Sequence, residues 1–429
     1  MKRIFHEIQH ALKTKTGKNT QLTLIGQVII AGVGYLINIV LLRNMSPDQF
    51  GTFSLFSSVI MFIAGLLHLG WMESFVRFGA EYAKKPEFPA VNRFFFRRIF
   101  WASLILSLTI SCLAPWISDH GYHRKDFTWY FVLGVGGAFL TSISNYLLSY
   151  FRAHQLFKEF IKIQAASTIF RLALCLGVVW FGLPVLASFS GIQLLAPFSI
   201  LVLGYFFMKG HPALQYAPSS PLDPALGNKF KSYNTWIFIS LTTTHLIGNI
   251  DSQFLAHYHS NQTLAAFSAA ARLTLPIQFV ILSITTTILP RLSASKNQQD
   301  THLYLSKLKF FLAPLAILIL LSCWLLPPAL IWLAGESYRS ITHLIQLQIL
   351  TVLIVLLTNP VGLVLYVWGW SKGFAYLNIL QLIIDVILNY AWVPKQGASG
   401  AILATLSVNL IGLIYVYCSV FYNLKHRRA

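Results

Sequence analysis

The sequence predicts an all-α integral membrane protein of about twelve transmembrane helices in two pseudo-symmetric six-helix lobes. Three observations carry this. Hydrophobic residues make up 56% of the chain and charged residues only 10%, with a mean hydropathy of +0.63, whereas an ordinary soluble domain carries about 25% charged residues. Apolar runs close to the ~20 residues that cross a ~30 Å hydrocarbon layer recur along the whole chain. Finally, the stretch from Leu22 to Arg77 recurs 214 residues later, half of the 429: without a gap, Gly248 falls under Gly34, Leu255 under Leu41, Ser260 under Ser46, and Phe267-Ser268 under Phe53-Ser54. Both copies read as helix, short turn, helix, as two similar halves require.

In chain order, residues 1–21 form a basic segment, with Lys2, Arg3, Lys13, Lys15 and Lys18 against Glu7 alone. The first apolar run, Leu22 to Leu42, is too long for a signal-peptide core and has no small-residue cleavage site, so it reads as a retained helix. Its Gln27, Ala31, Gly34 and Asn38 share one small, polar face, suited to helix packing or to a cavity wall. The turn Arg43-Asn-Met-Ser-Pro-Asp48 leads to span 2, Gly51 to Gly70. Continued to Arg77, that helix would be ~39 Å long, which places Glu73 and Arg77, one turn apart and able to pair, at the membrane interface. Spans 3 to 6 follow at Ile99–Ser118, Phe127–Tyr150, Ile163–Phe181 and Val185–Phe207, closing an N-lobe of residues 22–208.

Residues 209–234, with Pro212, Pro218, Pro221 and Pro224, read as the inter-lobe loop. The C-lobe, 235–422, opens with span 7, Thr235–Ala256, the most polar of all: Thr242, His245, Asn249 and Ser252 share one face, with Thr244, Gly248 and Asp251 beside it. So wide a polar surface must face protein or water. Span 8, Leu264–Leu289, carries Arg272 and a kink expected at Pro276, whose ring removes a backbone donor. Spans 9 to 12 are Phe310–Ala334, Leu344–Trp368, Phe374–Trp392 and Ala401–Tyr422, ahead of a basic tail, 423–429.

Of the 32 Lys and Arg, 24 fall in the segments on the N-terminal side of the membrane and five on the other, while Arg77, Arg171 and Arg272 lie in or beside spans. The positive-inside rule therefore predicts a multi-pass protein of the cytoplasmic membrane with both termini in the cytoplasm. The net charge of +19 is then topology plus affinity for the anionic bilayer surface, and no nucleic-acid partner is expected. Cys112, Cys175, Cys323 and Cys418 lie in apolar runs without paired spacing, so neither disulfide nor metal site is indicated. No Walker-type loop occurs, no catalytic residue is assigned and no cofactor is required. The outer loops, each under about ten residues, leave no room for a membrane enzyme's chemistry.

The hairpin Leu41-Leu-Arg-Asn-Met-Ser-Pro-Asp-Gln-Phe-Gly-Thr-Phe53, with Leu69-Gly70 and Arg77-Phe78, resembles the start of Wzx-type polysaccharide and O-antigen flippases of the multidrug/oligosaccharidyl-lipid/polysaccharide exporter superfamily. So do Ala269-Ala-Ala-Arg-Leu273, Leu289-Pro-Arg-Leu292, and Asn389 with Gly397-Ala-Ser-Gly-Ala401. The resemblance covers nearly the whole chain, which has twelve spans where longer relatives have fourteen. It implies two lobes about a central cavity and alternating access that moves undecaprenyl-pyrophosphate-linked oligosaccharide outward for surface polysaccharide or lipopolysaccharide, with a polymerase and chain-length regulator as partners.

Depth then sorts the candidate residues. Arg171, Arg272 and Asp385 fall near the middle of their spans, and Asp251 about five residues from the outer end of span 7. Arg171 and Asp385 are also 214 apart. Arginine suits a pyrophosphate because its planar fork grips phosphate oxygens bidentately, so the expected substrate contacts are Arg272, Arg171, Arg77, Asn38, Asn249 and His245. Asp251, Asp385 and Glu73 are the expected ion-coupling or ion-pairing groups, for H⁺ or Na⁺. The alternative reading is an ion-coupled exporter of small cationic molecules.

Overall fold

The first hairpin turn carries its own stop and start signals. In the computed structural model, which describes residues 15–68, 70–209, 222–281, 285, 298–368 and 371–426, helix α1 (Lys15–Asn44) ends where the Asn44 side-chain amide donates to the Val40 carbonyl at 2.8 Å. Helix α2 (Pro47–His68) opens with a reciprocal cap: Gln49 N–H donates to Ser46 Oγ at 3.3 Å, and Ser46 N–H to Gln49 Oε1 at 3.2 Å. Pro47 sits at the first helical position, where its missing N–H costs nothing.

The helix does not run on to Arg77 as expected. Gly70 takes a left-handed φ of 71°, and α3 (Trp71–Tyr82) starts anew. A Cβ at Gly70 would stand 2.7 Å from the Phe238 nitrogen and 2.8 Å from its Cα. Conformation and close backbone approach therefore both select glycine. Beyond the break, Met72, Phe75, Phe78 and Tyr82 recur at helical spacing and are buried. They join Phe88, Phe95 and Ile99 of α4 (Phe88–Cys112), Tyr146 and Tyr150 of α5 (Thr128–Ala153), and Phe230 in one aromatic core.

That core explains a second departure. The third span begins at Phe88, not Ile99, because Phe88, Val91 and Phe95 belong to a buried face and Pro89 fits the first turn. It ends at Cys112, so the connection to α5 is longer than expected, and it holds short helical turns at Ala114–Trp116, Ile117–Gly121 and Lys125–Phe127.

Helices α6 (Phe157–Trp180) and α7 (Val185–Lys209) complete the first half. Helix α8 (Pro224–Tyr258) starts inside the stretch expected to be a loop, with Asp223 Oδ1 accepting from Ala225 N–H at 2.9 Å and Pro224 as first residue. Helix α9 (Asn261–Leu273) is followed, across a 42° bend, by Leu275–Ile281. The bend falls just before Pro276, and Thr274 Oγ1 donates to the Ala270 and Ala271 carbonyls there at 3.2 and 3.0 Å. Then come α10 (Gln298–Ala334), α11 (Thr342–Val367), α12 (Ser371–Gln396) and α13 (Ala398–His426). Helix α11 packs on α10 and α13, and α12 on α13.

Ten of these helices are long and apolar enough to cross a membrane, and the bent pair makes an eleventh. The predicted seventh span is helical throughout but too polar to qualify on apolarity alone, which accounts for all twelve expected spans.

The chain divides into two compact units: residues 1–37, 59–120 and 124–242, and residues 38–58, 121–123 and 243–429. The expected lobes, 22–208 and 235–422, differ from these. The division falls inside α8, and residues 38–58 and 121–123 group with the second unit. Residues 1–14, 69, 210–221, 282–284, 286–297, 369–370 and 427–429 lie outside the described residues, and with them most of the basic N-terminal segment, most of the proline-rich loop and the end of span 8.

Candidate functional site

The second unit holds a buried acidic cluster built from three helices. Asp385 and Asn389 lie four apart on one face of α12. Asn389 Nδ2 donates to Asp251 Oδ1 of α8 at 2.8 Å, to Asp385 Oδ1 at 3.1 Å, and to the Asp385 carbonyl at 3.0 Å. Thr405 of α13 donates its hydroxyl to Asp251 Oδ2. Asp385 and Asn389 are 0% exposed and Asp251 is 7% exposed. Among the described residues, Asp385 Oδ2 and Asn389 Oδ1 have no hydrogen-bonding partner.

A single amide thus bridges two carboxylates, and two further oxygens are buried without a donor. Like charges so placed repel one another in a medium of low dielectric. Among the described residues no three His, Cys, Asp or Glu side chains converge. The set is therefore one of hard oxygens with two formal charges, chemistry that suits a small monovalent cation or a proton better than a transition metal.

The same unit brings Arg272 and Asn38 together. Arg272, one residue from the end of α9, donates from Nη1 to Asn38 Oδ1 at 3.3 Å, and its guanidinium lies 5.0 Å from the Phe50 ring centre and 5.4 Å from that of Phe53. An amide oxygen and two ring faces orient the fork. Phe50 is braced edge-on by Tyr338, at 6.1 Å. Asp251 is committed to Asn389 and Thr405, so the Arg272–Asp251 pairing that the sequence allows gives way to these two separate arrangements. Asn249 turns back on its own helix, donating to the His245 carbonyl at 3.0 Å, whereas His245 itself is exposed. Beside it, Thr244 Oγ1 accepts from Asn378 of α12 at 3.2 Å.

The remaining candidates lie in the first unit. Arg171 of α6 donates to Gln193 Oε1 of α7, while its Nε is buried without a partner. Its 214-offset counterpart, Asp385, meets partners of its own unit. The expected Glu73–Arg77 pair does not form. Ion pairs among the described residues are Lys125–Asp119, Lys229–Glu81 and Arg339–Glu336. Arg77 instead lies 4.2 Å above the Tyr233 ring, and Glu73 acts electrostatically on Arg152. Sequence reasoning missed Thr405, Gln193, Phe50, Phe53 and Asn378 as site residues. Asn389 was visible only as part of a motif.

The model of the family described as "Polysaccharide biosynthesis protein" matches residues 16–296, nearly two thirds of the chain. The chain belongs to this family. A second model, MatE, matches residues 237–391, a range that includes Asp251, Asp385 and Asn389. No curated protein matches. Among solved structures, an inward-facing multidrug resistance MATE family transporter of the MOP superfamily is similar at a TM-score of 0.72 and 14% identity, over 95% of this chain and 100% of that one. The lipid II flippase MurJ, in an inward closed conformation, is similar at 0.71 and 15%, over 93% and 87%. A MOP superfamily transporter from Pyrococcus furiosus, whose binding pocket is described as of reverse polarity, is similar at 0.64 and 17%, over 97% and 98%. At these identities the likeness establishes the fold, that of the MOP superfamily.

Proposed function

We propose that this protein is a flippase that carries undecaprenyl-pyrophosphate-linked oligosaccharide across the bacterial cytoplasmic membrane by alternating access, for surface polysaccharide or lipopolysaccharide assembly, and not an enzyme. The observation that carries the reading is the mounting of Arg272: a guanidinium deep in a span, partly exposed, held in one orientation by Asn38, Phe50 and Phe53. Such a mounting leaves the fork's geometry preset for phosphate oxygens. His245, Asn249 and Asn38 are the sugar contacts in this reading, with Arg171 and Arg77 as secondary contacts. Asp251 and Asp385 bind the coupling ion, H⁺ or Na⁺, with the termini cytoplasmic. A polymerase and chain-length regulator act downstream.

A second reading, an ion-coupled exporter of small cations, is favoured by one finding: the MatE match spans the carboxylate cluster. Purified protein in liposomes with a fluorescent undecaprenyl-pyrophosphate oligosaccharide separates the two. Protein-dependent exposure of the lipid on the opposite leaflet, lost in Arg272→Ala, is the expected result. Absence of transfer together with ion-driven efflux of a cationic dye would replace the flippase by the exporter.

A further inference from the structure

The second unit contains a groove remote from the residues discussed so far. It has a volume of about 590 Å³ and lies among the first half of α10, the second half of α11 and the last turns of α13. Leu308 and Leu312 of α10, Val361 of α11, and Val420 and Leu424 of α13 form its walls. Pro360 lies inside α11 and supplies no N–H to the turn before it. Tyr417 Oη donates to the Leu357 carbonyl in that turn at 3.3 Å, and Tyr304 Oη to the carbonyl of Pro360 itself at 2.9 Å. The Tyr417 hydroxyl is thereby engaged, and its ring is left as apolar wall of the groove.

Polar chemistry remains only at one edge. Ser306 and Lys309 line it, and Lys307 stands exposed next to them. Among the described residues neither lysine has an acidic partner within ion-pair distance. In the sequence, Lys309 is the last cation before the apolar run of α10, so it marks the membrane interface. An apolar slot entered beneath unpaired lysines at a bilayer surface has the polarity of an anionic amphiphile.

Size selects among amphiphiles. At 590 Å³ the groove has the size of an ordinary small-ligand pocket, room for one acyl chain rather than a long polyprenyl tail. We propose that this groove binds an anionic phospholipid, one acyl chain lying between α10, α11 and α13 and the phosphate resting on Lys309 with Lys307 beside it. The proposal rests on the chain spanning a bilayer and not on the flippase reading.

The test needs no transport. Full-length protein is placed in nanodiscs containing spin-labelled phosphatidylglycerol or spin-labelled phosphatidylcholine, and the immobilised fraction is read by electron paramagnetic resonance. Phosphatidylglycerol should be immobilised preferentially, by about fivefold for one lysine contact near an anionic surface. Lys309→Glu should abolish the preference and Lys309→Arg retain it. Ala313→Trp, which fills the slot, should release the lipid while size-exclusion behaviour stays that of the parent protein. Equal immobilisation of both lipids, or a preference untouched by Lys309→Glu and Ala313→Trp, would reduce the groove to ordinary lipid solvation and overturn the proposal. Displacement of the label by undecaprenyl phosphate but not by unlabelled phosphatidylglycerol would overturn it in favour of a polyprenyl occupant.

Discussion

Replacing Asn389 by leucine removes the one donor that Asp251 and Asp385 of the buried cluster share, while roughly keeping its volume. The lost contacts are charge-assisted, at 2.8 Å to Asp251 and 3.1 Å to Asp385. At about 1.5–3 kcal/mol each they bound the cost at about 3–6 kcal/mol. If the cluster holds Na⁺, the wild-type protein should be stabilised by mass action, by about 2.7 kcal/mol at a hundred times the dissociation constant. The assay is thermal unfolding of purified protein in detergent, with Na⁺ exchanged for choline at constant ionic strength. Wild type should melt several degrees higher in Na⁺, and Asn389→Leu should melt lower and lose the difference. If the bound cation is a proton, pH takes the place of Na⁺ in the same experiment. A wild-type midpoint that responds to neither, or a variant whose response equals that of wild type, would refute the assignment of a cation to this cluster.

Further outcomes follow from other contacts. Arg272→Lys keeps the charge but not the fork, so lipid transfer in the liposome assay should fall toward the Arg272→Ala level rather than stay at wild type. Gly70→Ala meets a left-handed backbone and the Phe238 main chain at 2.7 Å, and the conformation alone should lower unfolding stability by about 1–2 kcal/mol. A Cβ at position 51 would stand 2.0 Å from the Asn261 carbonyl oxygen, so Gly51→Leu should cost about 1–3 kcal/mol in the same melt through backbone displacement. Burial pushes the Tyr122 phenol above its ordinary range, and its hydroxyl donates to Gln253 at 2.6 Å; Tyr122→Phe should destabilise by about 1 kcal/mol.

The spans were legible because crossing a bilayer imposes a length and a composition on each helix that packing cannot override. Helix ends were less so. Phe88 and Val91 read as loop by charge density, yet they are core residues of an aromatic cluster assembled from α3, α4 and α5 and from Phe230 far along the chain. The break at Gly70 was hidden inside an unbroken apolar run, because its cause is the approach of Phe238 from elsewhere in the sequence. The same logic governs the site. Deep charges such as Asp251, Asp385 and Arg272 announce themselves, but their partners are neutral: Thr405, Asn389 and Phe53 look like any other membrane-helix residue until tertiary contacts single them out. The pairing of Glu73 with Arg77 rested on helical spacing alone, and the Tyr233 ring was the stronger attractor.

The polarity of α8 bears on how the protein is made. A segment with Thr242, Thr243, Thr244, His245, Asn249 and Asp251 in succession partitions poorly into lipid by itself, and in the folded chain Asp251 and Thr244 meet partners on α12 and α13, synthesised more than a hundred residues later. Stable seating of α8 in the bilayer should therefore depend on those later helices. A chain arrested after α9 should leave its second half without fixed topology, exposed to the quality-control proteases that survey incomplete membrane proteins.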